Sequence, residues 1–226
     1  MMKYMINSYL GIFIALEGID RSGKHTQGEF IQSYVNGLGF KAYFTQEPWW
    51  GEMNADDDLL KKVIKREESA DYAKIQKLFI DNRARHLEHE IIPYLKNGSE
   101  NVVICERYFL STLAYGPATG GGNFEELWKA HELIPNFIFP DLTLIIDISA
   151  EEAVRRLDKK ADVFEESVIL EKVRQSYLSL AIMFDNVKTV IIDGAKSPEE
   201  VFASLKPQIE KIIKEKKEAF GYETVS

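Results

Sequence analysis

An apolar run, Ile12 to Leu16, leads straight into Glu17-Gly18-Ile19-Asp20-Arg21-Ser22-Gly23-Lys24-His25-Thr26-Gln27, and an amphipathic run, Gln27 to Val35, follows. A buried strand, a glycine-bearing turn and a helix in that order commit the chain to open a strand-helix-strand unit. Gly18, Gly23 and Lys24 have the spacing of a phosphate-binding P-loop, in which glycines let backbone N–H groups turn inward around an anion and the lysine adds a point charge. The following helix aims its positive dipole end at the same place. The motif asks for Ser or Thr after the lysine, to put a hydroxyl on Mg²⁺, and this chain has His25 there with Thr26 one place later. The plainer reading is a glycine-rich turn that binds nothing.

Five short runs rich in β-branched and aromatic residues punctuate the chain: Ile12 to Leu16, Ala42 to Thr45, Val102 to Cys105, Leu142 to Ile148 and Thr189 to Ile192. They are almost continuously apolar, as strands covered on both faces are, and the segments between them are long enough for right-handed crossovers. The expectation is an α/β fold with a five-stranded parallel sheet flanked by helices. A helix is predicted from Ala70 to Leu95, stopped by Asn97-Gly98. Ser149 with Glu152, and Ser197 with Pro198 and Glu200, read as capping boxes opening further helices. Pro207 should kink the last helix or end it. Segments 47–68 and 159–166 are candidate lids over the carboxyl edge of the sheet, 221–226 a loose tail, and the whole a single domain with its core at about 11–213.

Charge narrows the partners. With 28 basic against 36 acidic residues, a net charge of −8 offers no general attraction to nucleic acid or acidic membranes, so any anion must be bound locally. The single cysteine, Cys105, lies in an apolar run and is expected to be a buried strand residue in a reducing compartment. The first ten residues lack the pattern of a secretory signal, and no apolar run approaches the about 20 residues of a membrane span. A soluble, cytoplasmic protein is expected.

Chemistry should gather beyond the strand ends. The third strand runs into Glu106-Arg107-Tyr108. A carboxylate beside a P-loop can orient a Mg²⁺-bound water or accept a proton, and an arginine can grip a phosphate with two parallel N–H bonds. Taken alone, the pair would read as a surface ion pair. Arg21, inside the loop, could stabilise charge on a transferring phosphoryl group, or could face solvent at a turn. Asp20 could accept from a sugar hydroxyl or from Lys24, or close the turn. Phe79 and Arg83 share a helix face. Packing explains Phe79 alone, but with Arg83 it offers a ring to stack on and donors for the edge of a flat heterocycle.

Together these residues resemble the thymidylate kinases, P-loop nucleoside monophosphate kinases. The likeness runs from about Phe13 to Ile213 and rests on Phe13 through Gln27, Thr45-Gln46-Glu47-Pro48, Leu78 through Arg83, Glu106-Arg107-Tyr108 with Ser111 and Ala114-Tyr115, Pro140 through Thr143, and Asp162 through Glu165. The resemblance implies a three-layer P-loop NTPase fold with a lid, transfer of the γ-phosphate of ATP to dTMP, Mg²⁺ as cofactor, and a homodimer. It implies that Gly18 through Thr26 wrap the ATP phosphates, with Lys24, Arg21 and Glu106 catalytic and Glu106 near the metal. Phe79 would stack on thymine, Arg83 and Ser111 meet its polar edge, Arg107 and Gln46 face the acceptor phosphate, Asp20 take the 3′-hydroxyl, and Tyr115 crowd C2′. The loop Gly194 to Ser197 would border the adenine. Val163 stands where the lid-arginine group of the family has arginine, whereas Arg21 fills the P-loop position, so the two agree on a P-loop arginine.

Three departures leave alternatives open. Mg²⁺ prefers oxygen, and His25 offers nitrogen. Gln46 replaces an arginine, and Trp49-Trp50 with Gly116 replace small residues and a glutamine. A kinase for another nucleotide or nucleoside, and a nucleotide-binding protein without efficient catalysis, are the competing readings.

Overall fold

The computed structural model describes residues 6–156, 163–184 and 187–220, with 163–166 described by backbone alone. The strands are β1 (Ile12–Glu17), β2 (Lys41–Gln46), β3 (Asn101–Glu106), β4 (Leu142–Asp147) and β5 (Thr189–Asp193). Between and after them run α1 (Lys24–Gly37), α2 (Ala55–Ile64), α3 (Tyr72–His86), α4 (Ile92–Lys96), α5 (Phe109–Thr119), α6 (Phe124–Glu132), α7 (Ala150–Arg155), α8 (Val163–Met183) and α9 (Pro198–Ala219). All pairings are parallel, in the order β2-β3-β1-β4-β5. Among the described residues no helix is long and apolar enough to cross a membrane.

Strand side chains alternate between faces, and here both faces are covered. Ile12, Ile14, Leu16, Val102, Ile104, Leu142, Leu144 and Ile146 meet Ile31 and Val35 of α1 and Val201, Leu205, Ile209 and Ile213 of α9. Phe13, Ala15, Val103, Cys105 and Ile145 point the other way, into a larger core that includes Tyr108, Phe109, Trp128 and Phe137. That is a three-layer arrangement, and Cys105 is fully buried in it, as expected of a strand residue.

The helix predicted over 70–95 is interrupted by a π-helical turn, Leu87–Ile91. One extra residue in a turn rotates the following face by about 100°, which lets His86 point toward Glu47 while Leu87, Ile91 and Leu95 reach the core. Pro207 neither ends nor divides α9. It removes one donor, and the buried stripe Leu205, Ile209, Ile212 and Ile213 carries the helix through. Ser197 and Glu200 form the full capping box, whereas Ser149 caps α7 by accepting from the Glu152 N–H.

Segment 47–68 folds onto α3. The Asn82 amide holds the backbone of Trp49 from both sides, Trp49 N–H to Oδ1 at 2.7 Å and Nδ2 to Trp49 O at 2.8 Å, and also donates to Asp57 at 2.7 Å. Of the expected second lid, 159–162 lie outside the described residues and 163–166 open α8; the expected tail, 221–226, lies outside them too.

Candidate active site

Register places the loop. Leu16 pairs with Glu106 and Glu106 with Gln46, so the turn after β1 and the Glu106-Arg107 corner leave the same edge side by side. Gly18 and Gly23 have φ of 137° and 96°. A β-carbon on Gly18 would stand 2.5 Å from the Ile146 carbonyl oxygen, so only glycine fits there. Arg21 and Arg107 also adopt positive φ, 64° and 68°, each at a cost of about 1 kcal/mol or more.

Ile19, Ser22 and Lys24 are buried, Arg21, Gly23 and Thr26 are partly so, the His25 side chain faces out, and the Asp20 side chain is half exposed beside Arg107. Lys24 Nζ donates to the carbonyls of Gly18 at 3.2 Å and Ile19 at 2.8 Å. Burial, then the charge of Arg107, lowers its pKa to about 7. Asp20, Glu106 and Glu17 pull the other way without offsetting that loss, so a bound polyphosphate would favour the ammonium form. Arg156 reinforces the loop, donating to Arg21 O at 2.9 Å and to Gly194 O at 3.0 Å, and so ties the turn after β5 to it.

Beside the loop lies a cavity of about 360 Å³, walled by Phe79, Arg107, Ser111 and Tyr115 and reaching Asp20. Phe79 is half-buried with its ring on the cavity, not in the core. Arg107 pairs with Asp20, donates to Ser111 Oγ at 3.2 Å and lies 5.2 Å over the Tyr115 ring. The Asp20 N–H donates to the Tyr115 hydroxyl at 3.1 Å. Burial raises the Asp20 carboxyl, but the charges of Arg107 and Lys24 outweigh it and hold the pKa below the usual value. Gln46 is exposed at the end of β2 and does not line the cavity.

Arg83 lines the same cavity yet is only 1% exposed. Its Nε donates to Glu47 Oε2 at 2.8 Å, one terminal nitrogen donates to Tyr108 O at 2.9 Å and lies 2.5 Å from the same Glu47 oxygen as an ion pair, and the other donates to Thr112 Oγ1 at 3.0 Å and His131 Nε2 at 2.6 Å. Four of its five N–H donors are thereby hydrogen-bonded, and the fifth sits beside the Glu47 carboxylate within the ion pair. The His131 Nδ1–H donates to Leu127 O at 2.7 Å, leaving Nε2 as the acceptor Arg83 needs. Burial and the Arg83 charge depress the His131 pKa to about 3, so the ring stays neutral.

At the head of α1, His25 Nδ1 is 3.1 Å from Glu106 Oε2. Mg²⁺ takes one or two protein carboxylates and completes its shell with water and phosphate oxygens; Glu106 fits that part, while the imidazole is a poor substitute for the missing hydroxyl. A second group, Glu47, His86 and Cys105, brings three donors within 4.8 Å of one another. It does not suit a metal. The Cys105 thiol donates to Arg107 O and burial pushes its pKa far up, and Glu47 already neutralises Arg83.

Several residues that hold the site's side chains in place escaped the sequence pattern. Glu17 is fully buried and accepts from the N–H groups of Tyr108 at 2.9 Å and Ser111 at 3.2 Å, from Ser111 Oγ at 2.6 Å and from the Tyr177 hydroxyl at 3.0 Å. Burial raises its pKa against those bonds. A carboxylate ending an otherwise apolar strand was the available signal. Nothing local distinguishes His131, Thr112 or Tyr177.

The chain is similar in sequence to known proteins. The thymidylate kinase family model matches residues 16–205. A probable thymidylate kinase of Pyrococcus horikoshii is 34% identical over 203 residues, covering 86% of this chain and 94% of that protein. The thymidylate kinase of Thermosipho africanus is 34% identical over 88% of this chain and 98% of its own length, and that of Mesoplasma florum 33% over 92% and 99%. With the loop, the cavity and the strand-end pair all in place, the chain belongs to the thymidylate kinase family.

Proposed function

We propose that this chain, acting as one domain, transfers the γ-phosphate of ATP to dTMP, giving ADP and dTDP. The observation that carries the reading is the cavity of about 360 Å³ between Phe79 and Arg107, which opens onto the P-loop residue Asp20. Its size suits a nucleotide base and sugar.

Phe79 stacks on thymine. Arg107 exchanges its bond to Asp20 for the acceptor phosphate, and Asp20 then takes the 3′-hydroxyl, so one ion pair is replaced by two substrate contacts. Tyr115 crowds C2′ and favours deoxyribose. Ser111 meets the polar edge of the base. Arg83 shapes the wall, and reaches that edge when one of its hydrogens leaves Thr112. Gln46 meets the acceptor phosphate from the rim. Lys24 swings from the Gly18 and Ile19 carbonyls to the β/γ-phosphates, and Arg21 screens the charge that grows on the transferring group. A divalent cation held by Glu106 would offset phosphate charge. Little covalent work falls to the protein, so alignment and exclusion of water supply most of the rate. A homodimer in the cytoplasm completes the reading, and the groove between α3 and α6, edged by Leu133 at 74% exposure, supports a subunit contact there.

A coupled ADP-release assay across dTMP, dUMP, dGMP and thymidine tests this. The thymine methyl in an apolar pocket predicts a preference for dTMP over dUMP of roughly 10- to 200-fold. Robust turnover of another acceptor with none of dTMP would overturn the assignment.

A further inference from the structure

We infer that His25 and Glu106 form a nitrogen–oxygen bite for the nucleotide's divalent cation, so that this chain favours a first-row transition ion such as Mn²⁺ over Mg²⁺. The inference rests on the kinase reading above and concerns what the departure at position 25 does to it.

Position supplies the first reason. The residue after the P-loop lysine is where the motif places a metal-binding hydroxyl, and here an imidazole, its side chain 63% exposed, occupies that place. Separation supplies the second. His25 Nδ1 and Glu106 Oε2 stand 3.1 Å apart, and adjacent corners of an octahedron with bonds near 2.1 Å lie about 3 Å apart. The two atoms can therefore share a cation with little movement of the backbone. The third reason is the other ring nitrogen. His25 Nε2 faces the Glu29 carboxylate at 3.8 Å, one helical turn on, and Phe44 packs against the ring at a centroid distance of 5.3 Å. At 3.8 Å the carboxylate is beyond hydrogen-bond distance, and a rotation of the exposed Glu29 side chain would bring it to the far nitrogen, where a carboxylate orients a metal-ligating histidine and raises its basicity.

Ligand chemistry then decides the ion. Mg²⁺ selects oxygen, and its octahedral site admits imidazole poorly. First-row ions accept imidazole beside carboxylate, with affinity rising from Mn²⁺ toward Cu²⁺. The bland reading is a solvent-exposed hydrogen bond between His25 and Glu106, of small energetic weight, and it predicts no change in metal preference.

The test is Mn²⁺ titrated into the full chain with ADP, followed by EPR, with pulsed EPR for directly coupled ¹⁴N. The expected result is an imidazole nitrogen coupling in the wild type that His25→Thr abolishes, with Mn²⁺ affinity at least about tenfold weaker in the variant. Glu29→Gln should keep the coupling and weaken Mn²⁺ several-fold. The Mn²⁺/Mg²⁺ ratio of kcat/KM should fall in His25→Thr. Mn²⁺ bound with nucleotide but without nitrogen coupling, and with equal metal ratios in wild type and variant, would overturn the inference and leave the kinase reading standing. Failure of the nucleotide to bind with either metal would overturn both.

Discussion

Replacing Arg83 with Met should separate what this guanidinium does for folding from what it does for dTMP. The side chain is 1% exposed and engages Glu47, Tyr108, Thr112 and His131 at 2.5 to 3.0 Å. Removing it takes the guanidinium from the Glu47 carboxylate, itself only 5% exposed, and leaves it the His86 ring at 3.5 Å. Breaking one side of a buried pair typically costs about 3–5 kcal/mol. For 226 residues the unfolding entropy is roughly 0.5 kcal/mol/K, so Tm should drop by roughly 6–11 °C. The double variant Glu47→Gln with Arg83→Met removes both charges and should recover most of that loss, because a neutral pair of similar volume has no stranded ion to desolvate. Its dTMP affinity should not recover, since the cavity wall is still altered. Thermal and urea unfolding give the stability arm, and KM for dTMP gives the binding arm. An Arg83→Met protein within about 1 kcal/mol of wild type would refute the claim that this network holds the cavity wall.

Arg21→Ala should lower kcat by orders of magnitude with a modest effect on ATP affinity, because its charge is needed mainly in the transition state; near-normal kcat would refute that role. Lys24 predicts proton uptake. With its pKa near 7 in the free protein and raised by bound phosphates, metal-free ATP binding should take up almost no proton at pH 6 and approach one at pH 8, read by calorimetry in buffers of different ionisation enthalpy. His131 predicts an acid slope. Its folded pKa of about 3 lies below the ordinary 6.5, so the unfolded chain binds the extra proton and stability falls as pH drops from 6.5 toward 3, by at most about 1.4 kcal/mol per unit. His131→Gln keeps an acceptor for Arg83 and should flatten that slope in urea titrations; an unchanged slope counts against a buried neutral ring.

Local pattern carried the scaffold a long way. Apolar runs bounded by helical segments predict each of β1 to β5 to within two residues, because a strand covered on both faces must be apolar along its whole length. The spacing of Gly18, Gly23 and Lys24 foretold a loop whose glycines do take positive φ. Of the two outcomes expected at Pro207, the ending does not occur, since packing carries α9 through it, and the helix over 70–95 takes a π turn that no periodicity announces.

Recognition of Phe79, Arg107 and Tyr115 needed only their own motifs, and the structure sets all three around one cavity. Arg83 is different. Residues 36 positions before it and 29 and 48 after it engage its hydrogens, so whether it faces a ligand or the interior is settled by partners that sequence spacing does not reveal. Glu17 and Tyr177, 160 residues apart and joined by a 3.0 Å hydrogen bond, make the same point. A linear chain declares which residues suit a strand, a turn or a phosphate, since those preferences act over a few neighbours. The pairing of buried polar groups depends on which side chains meet after the helices have closed over the sheet, and only the folded molecule decides it.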